Sequence, residues 1–191
     1  TNSGNNAFDK TNSTGETLAG SIAGCDVGCY EAWQKCTGDP SVIVAVLDDG
    51  VMYTHPDLAG NIWVNDKEEL YAGTDADGNG YKDDRYGYNF VHNTAAISWT
   101  DVSDIGHGTH VSGTIAAMNN GYGVCGIAGG DGTKDSGVKI MICQVFAGEN
   151  GVSLNGEAQA IKYAADNGAV ILQCSWGYNS SEANEVEGYS P

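Results

Sequence analysis

The stretch Val44-Ala45-Val46-Leu47-Asp48-Asp49-Gly50 decides the fold of this 191-residue chain. Its four apolar residues, together with Val42 and Ile43 before them, form a continuous apolar run rich in β-branched side chains. Such a run is typical of a strand that is buried on both faces of a parallel sheet. The run ends abruptly in two acids and a glycine. The sequence therefore predicts a buried parallel strand over 42–47, with Asp48 held rigidly at its end.

Two further apolar runs have the same character, and helical patterns lie between the runs. Ser153 is a suitable N-cap for the helix that follows it, and Gly168 stands where a C-cap glycine is expected. Alternation of strands and helices with continuous apolar strands predicts an α/β fold with a mostly parallel sheet flanked by helices. The predicted strands are 42–47, 138–146 and 169–175, and the predicted helices are 29–36, 107–119 and 154–167.

The chain shows no internal repeat and no linker, so residues 1–191 are predicted to form a single domain. Residues 1–28 are rich in Asn, Ser, Thr and Gly and are interpreted as an irregular arm. Residues 61–105 form a polar insertion with enough aromatic residues to be ordered. Residues 178–191 are interpreted as an exposed tail and a cleavage site, because exposed polar loops are the preferred sites of proteolysis.

The net charge excludes some classes of binding partner, and the cysteines indicate the cellular compartment. A formal net charge of −17 repels nucleic acid phosphates and anionic membranes, which excludes both as partners. Cys25, Cys29 and Cys36 are close together, which favours disulfide bonding and an oxidising compartment. Cys143 and Cys174 lie in apolar runs and are expected to be buried thiols. We therefore expect a secreted protein, extracellular or in a bacterial periplasm or cell surface.

The second informative stretch is Gly106-His107-Gly108-Thr109-His110, which begins 58 residues after Asp48 and opens a helical pattern. A hydroxyl nucleophile is weak until a neighbouring imidazole accepts its proton. The imidazole in turn needs an anion that fixes its tautomer and stabilises the imidazolium. Asp48 and His107 fit these two roles, with the acid preceding the base along the chain. The sequence predicts that they lie side by side.

Four motifs carry a resemblance to a known family: 44–50 with 55–58 behind it, 107–117, 119–128 and 170–177. They resemble the subtilisin-like serine proteases over roughly residues 30–180. The resemblance implies that residues 1–191 are a single partial catalytic domain with a subtilisin-like sheet. It also implies hydrolysis of peptide bonds in peptide or protein substrates, with Asp48 as the catalytic acid and His107 as the general base. Asp-Asp-Gly, Val-Cys-Gly and Ser-Trp-Gly are similar to the kexin/furin branch. His110 stands where that branch usually has arginine, so the resemblance gives the superfamily and not the branch.

The nucleophile of this family lies in a Gly-Thr-Ser-x-Ala type motif, and no such motif occurs in these 191 residues. The family's oxyanion asparagine is likewise expected downstream. We therefore expect this chain to associate with a C-terminal fragment of the same protease that carries the serine, after a nick in the tail; a truncated chain is the other explanation. The functional alternative is a non-catalytic pseudoprotease module that serves as a calcium-stabilised binding or scaffold domain.

The resemblance also implies which residues contact an extended peptide substrate. One segment lines a wall of the pocket for the side chain before the scissile bond, and a second pairs with the peptide backbone by β-augmentation. Asp49 is implied to favour a basic substrate residue, although a role limited to capping a turn is the alternative. The implied substrate-binding residues are Asp49, Glu149, Asn150, Gly151, Ser175, Trp176 and Gly177.

Two calcium sites are predicted. The stretch from Asp75 to Asp84 places oxygens at alternate positions around a glycine-rich turn, like the first half of an EF-hand loop. Tyr86 stands where an EF-hand has its bidentate glutamate. The second site rests on the resemblance and uses Asp57, Asn120 and three backbone carbonyls. The predicted Ca²⁺ ligands are Asp75, Asp77, Asn79, Tyr81, Asp83 and Asp84 at the first site, and Asp57, Met118, Asn120, Tyr122 and Val124 at the second.

Overall fold

The structure, a computed structural model, describes residues 27–101 and 105–177. The predicted tail, and the predicted arm except for residues 27 and 28, lie outside the described residues. The chain divides into two compact units, Thr1–Thr37 and Gly38–Pro191. The first unit contains helix α1, Cys29–Trp33. This helix is shorter than predicted, because the N–H groups of Lys35 and Cys36 both bond to the carbonyl of Ala32 in a tighter turn.

The second unit contains the strands β1 Ile43–Asp48, β2 Gly87–Asn89, β3 Lys139–Gln144, β4 Phe146–Ala147, β5 Asn150–Gly151 and β6 Ile171–Gln173, and the helices α2 His107–Ala116 and α3 Leu154–Asp166. A 3₁₀ turn spans Ala59–Asn61. Four of the strands form a parallel sheet in the order β2-β3-β1-β6, which confirms the predicted α/β fold. A short antiparallel hairpin, β4 and β5, follows β3.

Alternate residues of β1 and β3 enter two separate cores, one on each face of the sheet. Val46 and Ile142 lie in the core on the side of α2, together with Ala116 of that helix. Leu47 and Met141 lie in the other core, with Ala160, Tyr163 and Ala164 of α3. These side chains of both strands are fully buried. Burial on both faces explains why the two strands are continuous apolar runs rather than alternating ones.

Helix α3 begins and ends as predicted. The Ser153 hydroxyl accepts a hydrogen bond from the N–H of Gly156 at 3.3 Å, and Gly168 has a φ of 88°, which favours glycine after a helix end. Helix α2 is shorter than the predicted 107–119. The chain becomes extended at Ala117, and the N–H of Met118 donates to the carbonyl of Asp57 at 2.8 Å instead of continuing the helix.

The third predicted strand, 169–175, is observed only over β6, and the prediction that it is buried is wrong. Val170, Ile171 and Leu172 are 71%, 48% and 39% exposed. The reason is that β6 is the last strand in the sheet order, so one of its edges has no neighbour among the described residues. Cys174, which follows it, is also exposed, whereas Cys143 in β3 is buried as predicted. Pairing within the Cys25–Cys36 group stays a prediction, since Cys25 lies outside the described residues.

The insertion is ordered through aromatic contacts with the sheet. The ring of Tyr81 packs edge-on against Tyr88, Phe90 and Tyr163, with centroids 4.8, 5.7 and 4.8 Å apart. The Tyr163 hydroxyl donates to the buried carboxylate of Asp84 at 2.7 Å. The insertion is therefore fixed to α3 and to the core beneath it. Among the described residues, no helix has both the length and the apolar character needed to cross a bilayer.

Candidate active site

The predicted acid and base lie in contact. Asp48 ends β1 and is 3% exposed, and His107 is the first residue of α2. Nδ1 of the imidazole lies 2.8 Å from Oδ1 and 3.0 Å from Oδ2 of Asp48. Oδ1 also accepts the N–H of Asp49 at 2.8 Å, which fixes the carboxylate. The side chain of His107 remains 43% exposed, so a hydroxyl group can reach the other ring nitrogen.

The electrostatics of the pair suit a base at neutral pH. The hydrogen bond to Asp48 raises the pKa of His107 above its ordinary value, against a smaller opposing effect of burial. Burial raises the pKa of Asp49, while its hydrogen bonds from the backbone of α2 act in the opposite direction. Both oxygens of Asp49 accept backbone N–H groups, from His107 at 3.1 Å and from Gly108 at 2.6 Å. Asp49 thus caps the start of α2.

The predicted substrate-binding segments lie on either side of Asp48. In the sheet, β3 and β6 are the two neighbours of β1, and each is followed by one of these segments. The hairpin residues Glu149, Asn150 and Gly151 are exposed, as are Ser175 and Gly177. The carboxyl ends of parallel strands meet at one edge of a sheet, which is where ligands bind in open α/β folds. Both segments are placed to contact a peptide there.

Trp176 connects this region to the strand that carries the acid. Its indole Nε1 donates to the carbonyl of Leu47 at 2.8 Å, one residue before Asp48. Its ring packs edge-on against Phe146, with the centroids 5.6 Å apart. Trp176 therefore has a structural role, and its half-buried ring forms part of the floor between the two segments.

The insertion brings together carboxylates that could hold a cation. Oxygens of Glu68, Asp77 and Asp84 all lie within 4.8 Å of one another. Glu68 and Asp84 are fully buried, and burial raises the pKa of Asp84, with smaller contributions from the charges of Asp77 and Glu68. Three clustered carboxylates repel one another unless a positive charge compensates them. The donor set fits Ca²⁺, which takes carboxylate and amide oxygens.

Amides and backbone groups surround this cluster. Asn79 donates from Nδ2 to Asp84 at 3.0 Å, and a half-turn of that amide would present its oxygen instead. The carboxylate of Asp75 closes the loop by accepting the N–H groups of Asn79 and Gly80. Oδ1 of Asp83 accepts the N–H of Gly73 at 2.7 Å. The structure therefore does not bring Asp75 or Asp83 into the carboxylate group, although both were predicted as ligands.

Glu68 is the residue of this cluster that the sequence prediction missed. It also organises the loop, since Oε1 accepts the N–H of Asp77 at 3.1 Å and Oε2 accepts that of Asp83 at 3.2 Å. Glu68 lies seven positions before Asp75 in an irregular polar stretch, with no periodicity that links the two. Its burial was the only signal, and burial of an acid cannot be recognised without the tertiary structure.

The second predicted calcium site also has a partly unsatisfied carboxylate. Asp57 is 4% exposed. Oδ2 accepts the N–H of Val124 at 3.0 Å, whereas the buried Oδ1 has no hydrogen-bond partner in the described part of the chain. The loop wraps so tightly that a Cβ at Gly123 would lie 2.0 Å from Oδ2. A buried carboxylate oxygen without a partner is costly, so this site also fits a cation.

The other residues predicted to bind this ion are more exposed than Asp57; they are Met118, Asn120, Tyr122 and Val124. Oδ1 of Asn120 accepts the N–H of Tyr122 at 3.0 Å in an exposed turn. The carbonyl of Met118 accepts the N–H of Asn120 at 2.8 Å. Tyr122 and Val124 are 71% and 62% exposed. The structure therefore links Asp57 directly to Met118 and Val124, and assigns Asn120 a turn-forming contact.

Comparison with known proteins decides the family. The family model described as the subtilase family, peptidase S8, matches residues 39–190. This chain belongs to the subtilase family. The observed sheet and the contact between Asp48 and His107 agree with that membership.

Individual subtilases give the extent of the similarity. Subtilisin-like protease 1 of Plasmodium vivax is 38% identical over 71% of this chain and 20% of its own length. The halolysin-like extracellular serine protease Nep of Natrialba magadii is 32% identical over 79% of this chain and 23% of its own. The crystal structure of fervidolysin from Fervidobacterium pennivorans, a keratinolytic enzyme related to subtilisin, has a TM-score of 0.52 at 30% identity, covering 79% of this chain and 20% of that one. This chain thus spans about a fifth of the length of these relatives.

Proposed function

We propose that this chain belongs to a secreted serine endopeptidase that hydrolyses peptide bonds through an acyl-enzyme. The observation that carries the proposal is the contact between a buried Asp48 and a half-exposed His107. Nδ1–H donates to Asp48, which leaves the other ring nitrogen free to accept a proton. His107 accepts the proton of the attacking serine hydroxyl and then passes it to the leaving amine. Asp48 holds the ring and stabilises the imidazolium between these steps.

The serine and the oxyanion asparagine come from sequence outside these 191 residues, on a C-terminal fragment that associates with this chain. Exposed apolar surface supports such a partner: Ile171 and Leu172 lie on β6, whose outer edge has no neighbouring strand in the described part of the chain. A groove of about 580 Å³ runs beside α2, and Ile105 and Val124 in its wall are 86% and 62% exposed. Contiguous apolar surface of this kind is typical of an interaction site.

A fluorophosphonate probe, followed by denaturing mass spectrometry, tests the proposal on the protein that includes the serine. The serine oxygen bonds to phosphorus, fluoride leaves, and His107 accepts the proton. We expect one probe on the wild-type protein, on a polypeptide separate from residues 1–191. Label on a polypeptide that contains residues 1–191 would refute the separate fragment but keep the endopeptidase. Folded protein that takes no label would refute the endopeptidase and favour a pseudoprotease scaffold.

An extended substrate is proposed to add its backbone to the segments at Glu149–Gly151 and Ser175–Gly177. Their exposure and their position on both sides of Asp48 support this role. A preference for a basic residue near the scissile bond stays a prediction. It now has weaker support, since both oxygens of Asp49 already accept hydrogen bonds from α2. Secretion is proposed from the acidic charge and from the similarity to an extracellular relative.

Calcium is proposed as the resident metal at both sites, where it would stabilise the fold and take no part in the proton transfers. Glu68, Asp77 and Asp84 would hold one ion, joined by the amide oxygen of Asn79. Asp57 would hold the other with carbonyls of the 118–124 loop. The first site fits because three carboxylates, two of them buried, lie within 4.8 Å of one another. The second fits because the buried Oδ1 of Asp57 has no hydrogen-bond partner in the described part of the chain.

Chelation is therefore expected to lower the melting temperature. An ion that binds only the folded state stabilises it by about 2.7 kcal/mol at a free concentration of 100 times Kd. Thermal denaturation with excess EGTA and then with excess Ca²⁺ measures the shift. Glu68→Gln and Asp57→Asn should each remove part of it. Their controls, Glu69→Gln and Asp66→Asn, alter exposed acids of the same types and should keep it whole. An EGTA-insensitive melting temperature would refute both sites.

A further inference from the structure

The start of α2 lacks a cap from its own segment of chain. Gly106 occupies the N-cap position with a φ of 71° and offers no side chain. The first N–H groups of a helix have no acceptor within the helix and need one from elsewhere. The two N–H groups in question belong to His107 and Gly108. Their partners therefore determine how firmly the backbone of the catalytic histidine is held.

Asp49 supplies both partners from a distant part of the sequence. Oδ2 accepts the N–H of His107 at 3.1 Å, and Oδ1 accepts that of Gly108 at 2.6 Å. A carboxylate at a helix N-terminus is favoured both by these charge-assisted bonds and by the helix dipole. Each oxygen of the carboxylate thus accepts one backbone N–H of α2.

Close backbone contact strengthens the junction between the end of β1 and the start of α2. A Cβ at Gly108 would lie 2.3 Å from the carbonyl oxygen of Gly50 and 2.9 Å from Oδ1 of Asp49. The N–H of Met52 donates to the hydroxyl of Thr109 at 3.0 Å. Only a residue without a side chain fits at position 108, so the two segments meet backbone to backbone. Asp49 lies at the centre of this junction.

Two adjacent acids thus hold one histidine in two ways. Asp48 binds its imidazole, and Asp49 binds its backbone N–H. We propose that Asp49 is a positioning residue that sets the distance between the His107 ring and Asp48, and does not bind the substrate side chain. This inference rests on the proposed function, because the ring is useful only if it accepts a proton from a serine. Asp48 and Asp49 are the charged groups that act on the ring.

Asp49→Asn in the protein that carries the serine tests the inference. Asparagine keeps one acceptor oxygen and turns an NH₂ group towards the other N–H, so one backbone donor loses its partner and the helix start shifts. A displacement of about 1 Å at a catalytic group lowers turnover by about 100-fold. We expect kcat, divided by the concentration of active sites titrated with fluorophosphonate, to fall 10- to 100-fold, and KM to change less than threefold. Both changes should be the same for neutral and for basic peptides.

A second readout does not depend on turnover. The Nδ1–H resonance of the His107 ring, followed by NMR, should move upfield in Asp49→Asn, because a displaced ring donates a weaker hydrogen bond to Asp48. Asp131→Asn is the control, since that exposed acid also accepts a backbone N–H, from Thr133 at 3.0 Å, in a separate loop. The control should leave both readouts unchanged.

The outcomes separate the two hypotheses. A loss confined to basic peptides, with neutral peptides and the Nδ1–H resonance unchanged, would show that Asp49 binds substrate and would overturn the inference. A lower melting temperature with unchanged kcat per titrated site and an unchanged Nδ1–H resonance would show a merely structural role and would also overturn it. Wild-type protein that takes no fluorophosphonate would refute the proposed function. The Nδ1–H resonance would then still test the positioning role.

Discussion

His107→Ala is expected to lower kcat by about 10⁶-fold in the protein that carries the nucleophilic serine. The reason is that no other imidazole in the described chain contacts Asp48, so the serine proton has no acceptor and the leaving amine no donor. This magnitude is the one measured for subtilisin and carries over through family membership. Single-turnover and steady-state hydrolysis of a peptide substrate, normalised to folded protein, measure the effect.

The matched control is His110→Ala, which removes an imidazole three residues further along α2. His110 is exposed, and its described hydrogen bonds are made by its backbone: the N–H donates to the carbonyl of Gly106, and the carbonyl accepts from the hydroxyl of Thr114. We expect its kcat to stay within about twofold of wild type. If His107→Ala kept turnover within tenfold of wild type, His107 would not be the general base. Equal losses in the two variants would instead indicate damage to the helix.

Asp48→Asn is expected to lower kcat by about 10⁴-fold, again the size known for this family. The carboxamide has nearly the same volume as the carboxylate, but it presents an NH₂ group to the ring and favours the wrong tautomer. The imidazolium formed during turnover also loses its counter-charge. Steady-state kinetics over a range of pH measure the rate and the acidic limb of the profile together.

The acidic limb of the pH–activity profile also shows in which direction the substitution changes the pKa of His107. Only neutral His107 accepts a proton, so activity rises as pH increases through its pKa. The bond to Asp48 holds that pKa above its ordinary value, which is about 6.5. In Asp48→Asn the pKa should fall towards the ordinary value, so the midpoint of the limb should move to lower pH. A midpoint that does not move, or that moves to higher pH, would contradict the assigned contact.

Periodicity predicted the fold, and the motifs around Asp48 and His107 predicted their contact, because these signals can be recognised in short stretches of sequence. The run before Asp48 contains only apolar residues, so both of its faces had to be buried, each in one of the two cores. Gly108 after His107 allows a close approach of Gly50 that a larger side chain would prevent, and Gly106 before it adopts a positive φ of 71°. The burial of β6 was predicted wrongly because burial does not depend on local sequence alone. Its apolar residues have the same local pattern as β1, but exposure depends on which strands lie beside it.

The loop at residues 75–84, proposed to bind calcium, shows the same limit of prediction from local sequence. Asp75 and Asp83 have the spacing of ligands, yet their carboxylates close turns, while Glu68 reaches the cluster from outside the motif. Side-chain direction in an irregular loop is set by the hydrogen bonds of the folded loop. Sequence spacing alone does not specify them.

By itself the sequence determined the parallel α/β scaffold, the acid at the end of its first strand, the histidine at the start of a helix and the acidic character of the insertion. Only the tertiary structure decided what the second acid does. Asp49 is adjacent to Asp48 in sequence, but β1 ends at Asp48 and the chain bends at Asp49. Asp48 therefore reaches the imidazole and Asp49 the backbone of His107, a division that depends on where α2 packs in three dimensions.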